Sequence, residues 1–220
     1  MARFFIVMDK LELVRKGFNS GAELYHEKFK NQEEYAELFQ TVLNELPQKD
    51  SSILDLGCGP GNISKFLLVQ NPKLKIVGVD ISENMVEIAQ KNNPCAKFLV
   101  QEALSFLRTC EKFNAIICGF ILPYLEKNQM EELIELANKK LTKNGVLFLS
   151  TMVGNYSDSK LQSPSSGNGP QIFVHYHEKF HLIELLKKNG FGLMKEESRF
   201  YKFTESITNT DLFLVAKKNV

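Results

Sequence analysis

Short apolar runs alternate with amphipathic segments between residues 52 and 151. Five of these runs have the length of buried strands; they cover 53–56, 75–80, 97–100, 113–118 and 146–150. Segments such as 62–70 and 133–141 instead repeat their apolar residues at helical spacing. This alternation predicts a parallel sheet that is connected by right-handed crossovers and covered by helices on both faces.

The two flanking regions have a different pattern. Residues 9–46 contain no convincing strand, and their apolar positions predict helices that pack across the edge or the mouth of the sheet. Residues 154–170 are polar and rich in turn-forming residues, which predicts a loop longer than the usual ~4–6 residues. A predicted helix over 178–188 and two predicted strands, around 191–201 and 210–217, complete the pattern.

Composition narrows the class of protein. The 220 residues are 44% hydrophobic and 24% charged, as in an ordinary globular domain. Lys and Arg number 27 against 26 acidic residues, so no basic excess indicates a nucleic-acid or membrane partner. The four cysteines have neither metal-binding nor redox spacing, which is typical of thiols in a reducing compartment.

Sequence features also predict a cellular location. The apolar run before Asp9 has only about five residues, fewer than the ~7–15 of a signal peptide, and no run approaches the ~18 residues of a membrane span. Together with the cysteine pattern, these features lead us to expect a cytoplasmic protein.

The strongest local signal is a glycine-rich turn, Asp55-Leu-Gly57-Cys-Gly59-Pro-Gly61, between the first predicted strand and a helix. Glycines allow a sharp turn and let a ligand approach the backbone closely. Ligands of open α/β sheets bind beyond the carboxyl ends of the strands, which is where this turn falls. A turn without a ligand is the weaker interpretation.

Asp80 ends the second predicted strand, about twenty residues after the glycines. A carboxylate at this position can accept hydrogen bonds from both hydroxyls of a ribose. Strand-end aspartates also cap helices, but Ser82 already offers a cap for the helix that follows. The two signals together favour a ligand that contains a nucleoside.

The spacing of the glycines bears on the kind of nucleoside. Dinucleotide-binding turns follow Gly-x-Gly-x-x-Gly and bind a pyrophosphate at a helix N-terminus. Here Asn62 stands where the third glycine of that pattern would fall, and Asp55 precedes the first glycine. A carboxylate there would repel pyrophosphate but suits a cationic cofactor. The sequence therefore disfavours a nicotinamide dinucleotide.

These motifs, in this order, resemble those of the class I methyltransferases that use S-adenosylmethionine. The resemblance covers about residues 50–217 and is most specific at 53–61. It implies that the cofactor's ribose, adenine and methionine contact residues along the first four strands. The residues to which it assigns these contacts are Asp55, Gly57, Cys58, Gly59, Gly61, Asp80, Ile81, Glu102, Ala103, Gly119 and Phe120.

The chain departs from the family pattern in three places. Glu102 replaces the more common aspartate near the adenine, and Asn114 and Tyr124 depart from the motif of the fourth strand. The family fold would be a Rossmann-like, doubly wound α/β sheet of seven strands, mostly parallel, with an antiparallel last strand inserted in the sheet. An N-terminal helical cap would be added to it.

We accordingly expect one domain. Its parts would be a helical cap or lid (1–48), a cofactor-binding half (49–153), the loop 154–170, and a C-terminal helix with a pair of strands (171–220). The loop leaves the carboxyl end of the fifth strand, so we expect it to form a lid over the methyl acceptor together with the helices of 9–46.

The resemblance implies methyl transfer, for which we expect a small-molecule acceptor. A base is needed only if the nucleophile arrives protonated. The candidate bases are Tyr25, Tyr124, His175 and His177, each of which could instead be a hydrogen-bonded residue at the domain edge. His175-Tyr176-His177 lacks a third ligand, so no metal site is predicted.

Two other functions fit part of the pattern. A non-catalytic module that binds S-adenosylmethionine and regulates a partner would need the cofactor motif but no base. An NAD-dependent oxidoreductase is disfavoured by the glycine spacing. Tyr156 and Lys160 have the spacing of the short-chain dehydrogenase pair, but Pro164 follows closely and a stable helix is not expected there.

Overall fold

The computed structural model describes residues 10–163, 169–204 and 207–219, with side chains described outside 201–208. Seven strands form one sheet. They are β1 (Ser52–Leu56), β2 (Lys75–Asp80), β3 (Lys97–Val100), β4 (Phe113–Cys118), β5 (Leu141–Val153), β8 (Phe191–Thr204) and β9 (Ile207–Lys218). Two short strands, β6 (Lys160–Gln162) and β7 (Ile172–Val174), pair separately.

Seven α-helices connect and cover these strands. They are α1 (Lys10–Phe29), α2 (Ala36–Asn44), α3 (Asn62–Gln70), α4 (Glu83–Asn92), α5 (Ala103–Thr109), α6 (Lys127–Lys140) and α7 (Lys179–Lys188). Short 3-10 turns lie at Glu33–Tyr35, Leu122–Tyr124 and Tyr156–Asp158. No described helix combines the length and the apolar character needed to cross a membrane.

The strand order is β3-β2-β1-β4-β5-β9-β8. Strands β1 to β5 are parallel to their neighbours, and β9 is antiparallel to both β5 and β8. The predicted sheet with an inserted antiparallel last strand is therefore confirmed. The order reverses between β1 and β4, and this switch point leaves a crevice above the carboxyl ends of the two strands, where ligands of such sheets bind.

Side chains alternate between the two faces of each strand, so the apolar residues form one core layer on each face of the sheet. On β9, Phe213 packs with Phe39 of α2 and with residues of α3 and α4. Its neighbour Leu214 points to the other face and packs with α5, α6 and α7. Both side chains are almost fully buried, so β9 is a central strand of the core although it comes last in the chain.

The structure differs from the sequence-based expectations at two places. Strand β5 begins five residues earlier than predicted, because Leu141 bridges to Phe113 before a register shift in the ladder. The predicted loop 154–170 contains a 3-10 turn and β6, which pairs with β7 to form a hairpin. Residues 164–168 of that segment lie outside the described residues.

Helix α1 lies across the mouth of the sheet, as the apolar pattern of 9–46 predicts. Asn19 joins it to the start of α4, because its Oδ1 accepts hydrogen bonds from Ser82 Oγ at 2.6 Å and from Asn84 N at 3.2 Å. Ala22 packs with Met85 and Ile88 of α4 in a small separate cluster. The helix is thus attached to the sheet's carboxyl side by polar and apolar contacts together.

Replacing Leu214 by alanine should destabilise the fold by about 2–5 kcal/mol, since the change leaves a cavity in a fully buried part of the sheet. Leu161→Ala is the matched control, because that side chain is 52% exposed and its truncation should cost less than ~1 kcal/mol. Urea unfolding measures both. Equal losses would contradict the central position of β9.

Candidate functional site

The glycine-rich turn is fixed to the end of β2 by backbone hydrogen bonds. The amides of Gly57 and Cys58 both donate to Val79 O, at 2.8 and 3.0 Å, and the amide of Gly61 donates to Cys58 O. The amide of Gly59 donates to Asp80 Oδ2 at 2.8 Å. All four amides are therefore engaged within the protein.

Two of the glycines serve different purposes. A Cβ atom on Gly59 would meet only a ring carbon of Tyr25, at 4.0 Å, so this side of the turn is open. A Cβ atom on Gly61 would lie 2.6 Å from Asn93 Nδ2 and 3.0 Å from Ala89 Cβ, and Gly61 also has a left-handed φ of 73°. Gly61 therefore allows α3 and α4 to pack closely.

Asp80 accepts two backbone hydrogen bonds at the end of β2. Its Oδ2 takes the Gly59 amide and its Oδ1 takes the Ser82 amide at 2.8 Å. Burial raises the pKa of Asp80, and these amide donors oppose the shift. Ser82 Oγ accepts from Met85 N at 3.2 Å, which confirms the predicted cap of α4 and leaves Asp80 facing the crevice.

Glu102 caps α5. Its two carboxylate oxygens accept hydrogen bonds from the amides of Leu104 and Ser105, at 2.9 and 2.7 Å. The glutamate side chain thus folds back onto the helix that follows and caps it through both carboxylate oxygens. Glu102 and Ala103 nevertheless line the same cavity as Asp80 and Ile81.

Asp55 lies beneath the glycine turn. Its Oδ2 accepts a hydrogen bond from Ser64 Oγ at 2.6 Å, and its Oδ1 has no partner among the described residues. Burial, with a smaller contribution from Asp80, raises the pKa of Asp55 to about 6. Asp55 and Gly61 line neither of the cavities described below.

Two cavities meet above the switch point. The smaller, of about 90 Å³, lies over the ends of β2 and β3 and includes Asp80 and Glu102. The larger, of about 400 Å³, lies over β4, β5 and β9 and also includes Cys58. Six residues line both cavities: Tyr25, Gly57, Gly59, Gly119, Phe120 and Tyr124.

The walls of the larger cavity are mainly aromatic. Rings of Tyr35, Phe39, Phe148 and Phe213 form them, and Asp211 is the only carboxylate among the described lining residues. The sequence analysis did not identify Asp211 as a site residue. The feature that could have identified it is a lone carboxylate at the start of the apolar run 211–216, on the same strand face as Phe213.

Phe120 has an unusual backbone at the boundary between the cavities. Its φ is 54°, in the left-handed region that non-glycine residues seldom adopt. Its amide donates to Ser150 Oγ at 2.9 Å, which helps to hold this conformation. Its ring packs edge-on against Phe213, with centroids 5.8 Å apart. The strain lies directly at the candidate site.

The four predicted candidate bases separate into two pairs. Tyr25 and Tyr124 line both cavities, but burial raises the pKa of Tyr25 to about 12 and that of Tyr124 further, so neither phenol is a ready base at neutral pH. His175 and His177 line neither cavity. The structure therefore does not bring the two histidines to the crevice.

His175 and His177 instead support the turn Leu122–Tyr124. The amide of His175 donates to Pro123 O at 2.7 Å, and His177 Nε2 lies 2.9 Å from Leu122 O. The His175 ring stacks on Tyr156 at a centroid distance of 5.6 Å. Together they fix the turn that carries Tyr124. Among the described residues, no group of three potential ligands could hold a metal ion.

Asn62 connects α1 to the glycine turn. Its Nδ2 donates to Phe29 O at 2.9 Å, and its Oδ1 lies 2.9 Å from His26 Nδ1. This is the position where a dinucleotide-binding turn would have its third glycine. The asparagine therefore fastens the end of α1 over the crevice, beside the Tyr25 ring that separates the cavities.

Comparison with known proteins agrees with this geometry. Residues 53–145 match the model of a methyltransferase domain family. An uncharacterised protein of Rickettsia prowazekii is 36% identical over 114 residues, which are 49% of this chain and 45% of that protein. A malonyl-[acyl-carrier protein] O-methyltransferase of Halalkalibacterium halodurans is 25% identical over 181 residues, 78% of this chain and 60% of that enzyme.

A solved structure shares the fold over nearly the whole chain. Magnesium protoporphyrin IX methyltransferase from Synechocystis PCC 6803, with bound SAH (S-adenosylhomocysteine), superposes with a TM-score of 0.72 at 20% identity, covering 96% of this chain and 100% of that one. The chain spans about half the length of the first curated relatives it matches, 45% and 60%.

Residues 53–145 thus match a methyltransferase domain family, and the chain shares the fold of a solved methyltransferase that has SAH bound. These similarities agree with the resemblance predicted from the sequence. The matches support methyl transfer and neither of the two alternatives raised from the sequence.

We expect the His175 ring to stay neutral in the folded protein. Burial, aided by Lys10 and His177, lowers its pKa to about 4 from the ordinary 6.5. Its contribution to stability is therefore complete above about pH 6.5 and declines as the pH falls towards 4. NMR titration of the imidazole shifts tests this. A midpoint above about pH 6 would contradict the described packing.

Proposed function

We propose that this chain transfers a methyl group from S-adenosylmethionine to a small-molecule acceptor. The observation that carries the proposal is the pair of cavities with a shared wall. One cavity has the carboxylate and strand ends suited to a nucleoside, and the other has apolar walls suited to an acceptor. A methyl group held at the wall that the two cavities share would be within reach of a cofactor in one cavity and an acceptor in the other.

The chemistry of the glycine turn supports this cofactor. Pyrophosphate binding needs free backbone amides, whereas those of Gly57, Cys58, Gly59 and Gly61 donate to acceptors of the protein. The carboxylates of Asp55 and Asp80 add negative charge beneath and beside the turn. Both features oppose a dinucleotide and favour a ligand with a cationic ammonium and sulfonium.

The proposal assigns contacts to the residues that line the cavities. Asp80 would accept the ribose hydroxyls, with Ile81, Glu102 and Ala103 around the adenine. Gly57, Cys58, Gly59, Gly119 and Phe120 would surround the methionine portion. Asp55 and Gly61 would act through the turn, by charge and by packing. The cofactor supplies an activated methyl group, so the protein needs no metal for this step.

The protein's main task is to align the acceptor and to exclude water. Tyr25 and Tyr124 lie where the two cavities meet, and Phe18 packs edge-on against both rings, at 5.9 and 5.0 Å. These rings would cover the reacting groups. The raised pKa values of the two tyrosines suit hydrogen-bond donors better than bases.

Helix α1 is the proposed cover. The described residues of 154–163 and 169–170 line neither cavity. The hairpin contacts α1 instead, where Lys10 Nζ lies 4.9 Å from the centre of the Phe173 ring. The described residues of this segment would therefore support the cover and not form it. We also place the enzyme in the cytoplasm, since all four cysteines are free thiols.

The full chain should bind S-adenosylmethionine and S-adenosylhomocysteine but not NAD. The amides of the turn are engaged within the protein, and the Asp55 and Asp80 carboxylates would repel a pyrophosphate, which is the physical reason for the difference. Isothermal calorimetry with the three ligands measures it. NAD binding as tight as that of S-adenosylhomocysteine would overturn the proposed function.

Asp80→Ala should weaken cofactor binding ten- to a hundredfold. Loss of charge-assisted hydrogen bonds to two hydroxyls costs on the order of 1.5–3 kcal/mol. Gly59→Val should lose more, because its side chain would enter the space between the turn and Tyr25. Asp158→Ala is the control, since Asp158 is exposed and lines neither cavity.

Asp80 also holds the amides of Gly59 and Ser82, so circular dichroism and thermal melting must accompany the calorimetry. A folded Asp80→Ala variant with normal cofactor affinity would refute the assignment of the ribose to this carboxylate.

A further inference from the structure

The end of the larger cavity away from the glycine turn is closed by aromatic rings and Asp211. Phe148 of β5 and Phe213 of β9 contribute their rings from the sheet, and Phe39 contributes its ring from α2. Phe39 and Phe148 pack with centroids 5.4 Å apart. Asp211 is 9% exposed on the same face of β9 as Phe213. The cavity therefore combines flat apolar walls with a single buried carboxylate.

The position of Asp211 follows from the strand register. Cys118 at the end of β4 pairs with Leu149 of β5, which pairs with Leu214 of β9. Asp211 lies two strands across from Cys118 and three residues further along the mouth. At ~4.8 Å between strands and ~3.4 Å per residue, the two Cα atoms are roughly 14 Å apart. The shared wall lies nearer to Asp211 than Cys118 does, because Phe120 of that wall packs against Phe213, two residues from Asp211 on the same face of β9.

Asp211 lines the cavity, and the cation next to it on the sheet is bound to other groups. Arg199 is its cross-strand neighbour on β8. The Arg199 guanidinium is already engaged, since Nε binds Glu197 at 2.6 Å, Nη1 binds Glu34 O at 2.8 Å, and the group lies over the Tyr35 and Phe213 rings.

The pKa of Asp211 reflects the opposing effects of burial and of its charged neighbours. Burial raises it to about 6, the Glu34 carboxylate adds to the rise, and Arg199 opposes it. Desolvation thus outweighs the nearby cation. A buried carboxylate of this kind is stabilised by a ligand that donates a hydrogen bond to it.

We infer that Asp211 recognises the acceptor by taking a hydrogen bond from an N–H or O–H group of the acceptor. The acceptor is a flat, mainly apolar molecule whose ring lies among Phe39, Phe148 and Phe213. This inference rests on the proposed function and adds the chemical class of the substrate. It disfavours acceptors that present a carboxylate to Asp211, because two like charges would meet in a desolvated site.

The size of the cavity sets a limit on the acceptor. Its volume of about 400 Å³ is at the lower end of the ~300–1,000 Å³ typical of ligand pockets, and the methionine portion of the cofactor would share it. The space left suits a molecule of one or two rings.

Four one-ring probes test the inference: benzylamine, benzyl alcohol, toluene and benzoate. They share a ring and differ only in the group that would meet Asp211. Their binding to the full chain, saturated with S-adenosylhomocysteine, can be followed by ligand-observed NMR at roughly 10 mM, where such small ligands are expected to bind. We expect benzylamine and benzyl alcohol to bind more tightly than toluene, and benzoate to bind least.

Asp211→Asn should remove this preference while preserving the shape of the site. Benzylamine affinity should fall about tenfold or more, toluene affinity should stay within about twofold, and benzoate affinity should rise. Asp211→Glu keeps the charge and should keep the preference for benzylamine over benzoate. Asp158→Asn, at an exposed position outside the cavities, should change nothing.

Two results would overturn the inference. One is an unchanged order of probe affinities in folded Asp211→Asn, and the other is no binding of any probe to the wild-type protein. Calorimetry with S-adenosylhomocysteine separates this failure from that of the proposed function. Normal cofactor binding without probe discrimination refutes only the role of Asp211. Loss of cofactor binding in the wild-type chain refutes methyl transfer itself.

Discussion

The attachment of the glycine turn to the end of β2 is the constraint on which the rest of the site depends. Two amides of the turn donate to Val79 O, and a third donates to Asp80. These bonds set the height of the turn above the sheet and the direction of the Asp80 carboxylate at the same time. The open face of Gly59, the start of α3 and the wall between the two cavities all follow from that geometry.

Features set by local sequence could be predicted, and features set by distant contacts could not. The strands from β1 to β4, the cap at Ser82 and the glycine turn depend on short patterns of apolar, small and capping residues. Asp211 joins the site only because β9 inserts beside β5, a pairing between residues about sixty positions apart. Its neighbours in the chain mark it as a lone carboxylate on an apolar strand, but its place in the cavity depends on that distant pairing.

The residues that sequence reasoning placed differently from the structure are explained by packing. His175 and His177 have suitable chemistry for bases, but the His177 ring lies against Leu122 O and the His175 ring stacks on Tyr156. Gly61 belongs to the predicted motif, yet its space is filled by Asn93 and Ala89. A motif thus identifies where a ligand binds without saying which of its residues touch the ligand, since some are needed to close the turn or to bring two helices together.

Asn62 illustrates the difference between the affinity of a site for its ligand and the rate at which the ligand exchanges. In the proposed function, affinity for a nucleoside would depend on groups such as Asp80, which line the smaller cavity. The rate at which a ligand enters or leaves would depend on α1 moving away, and Asn62 fastens the end of that helix through Phe29 O and His26. A change at Asn62 would therefore act on exchange kinetics more than on equilibrium binding. An amide that holds a covering helix would in this way influence the pace of product release.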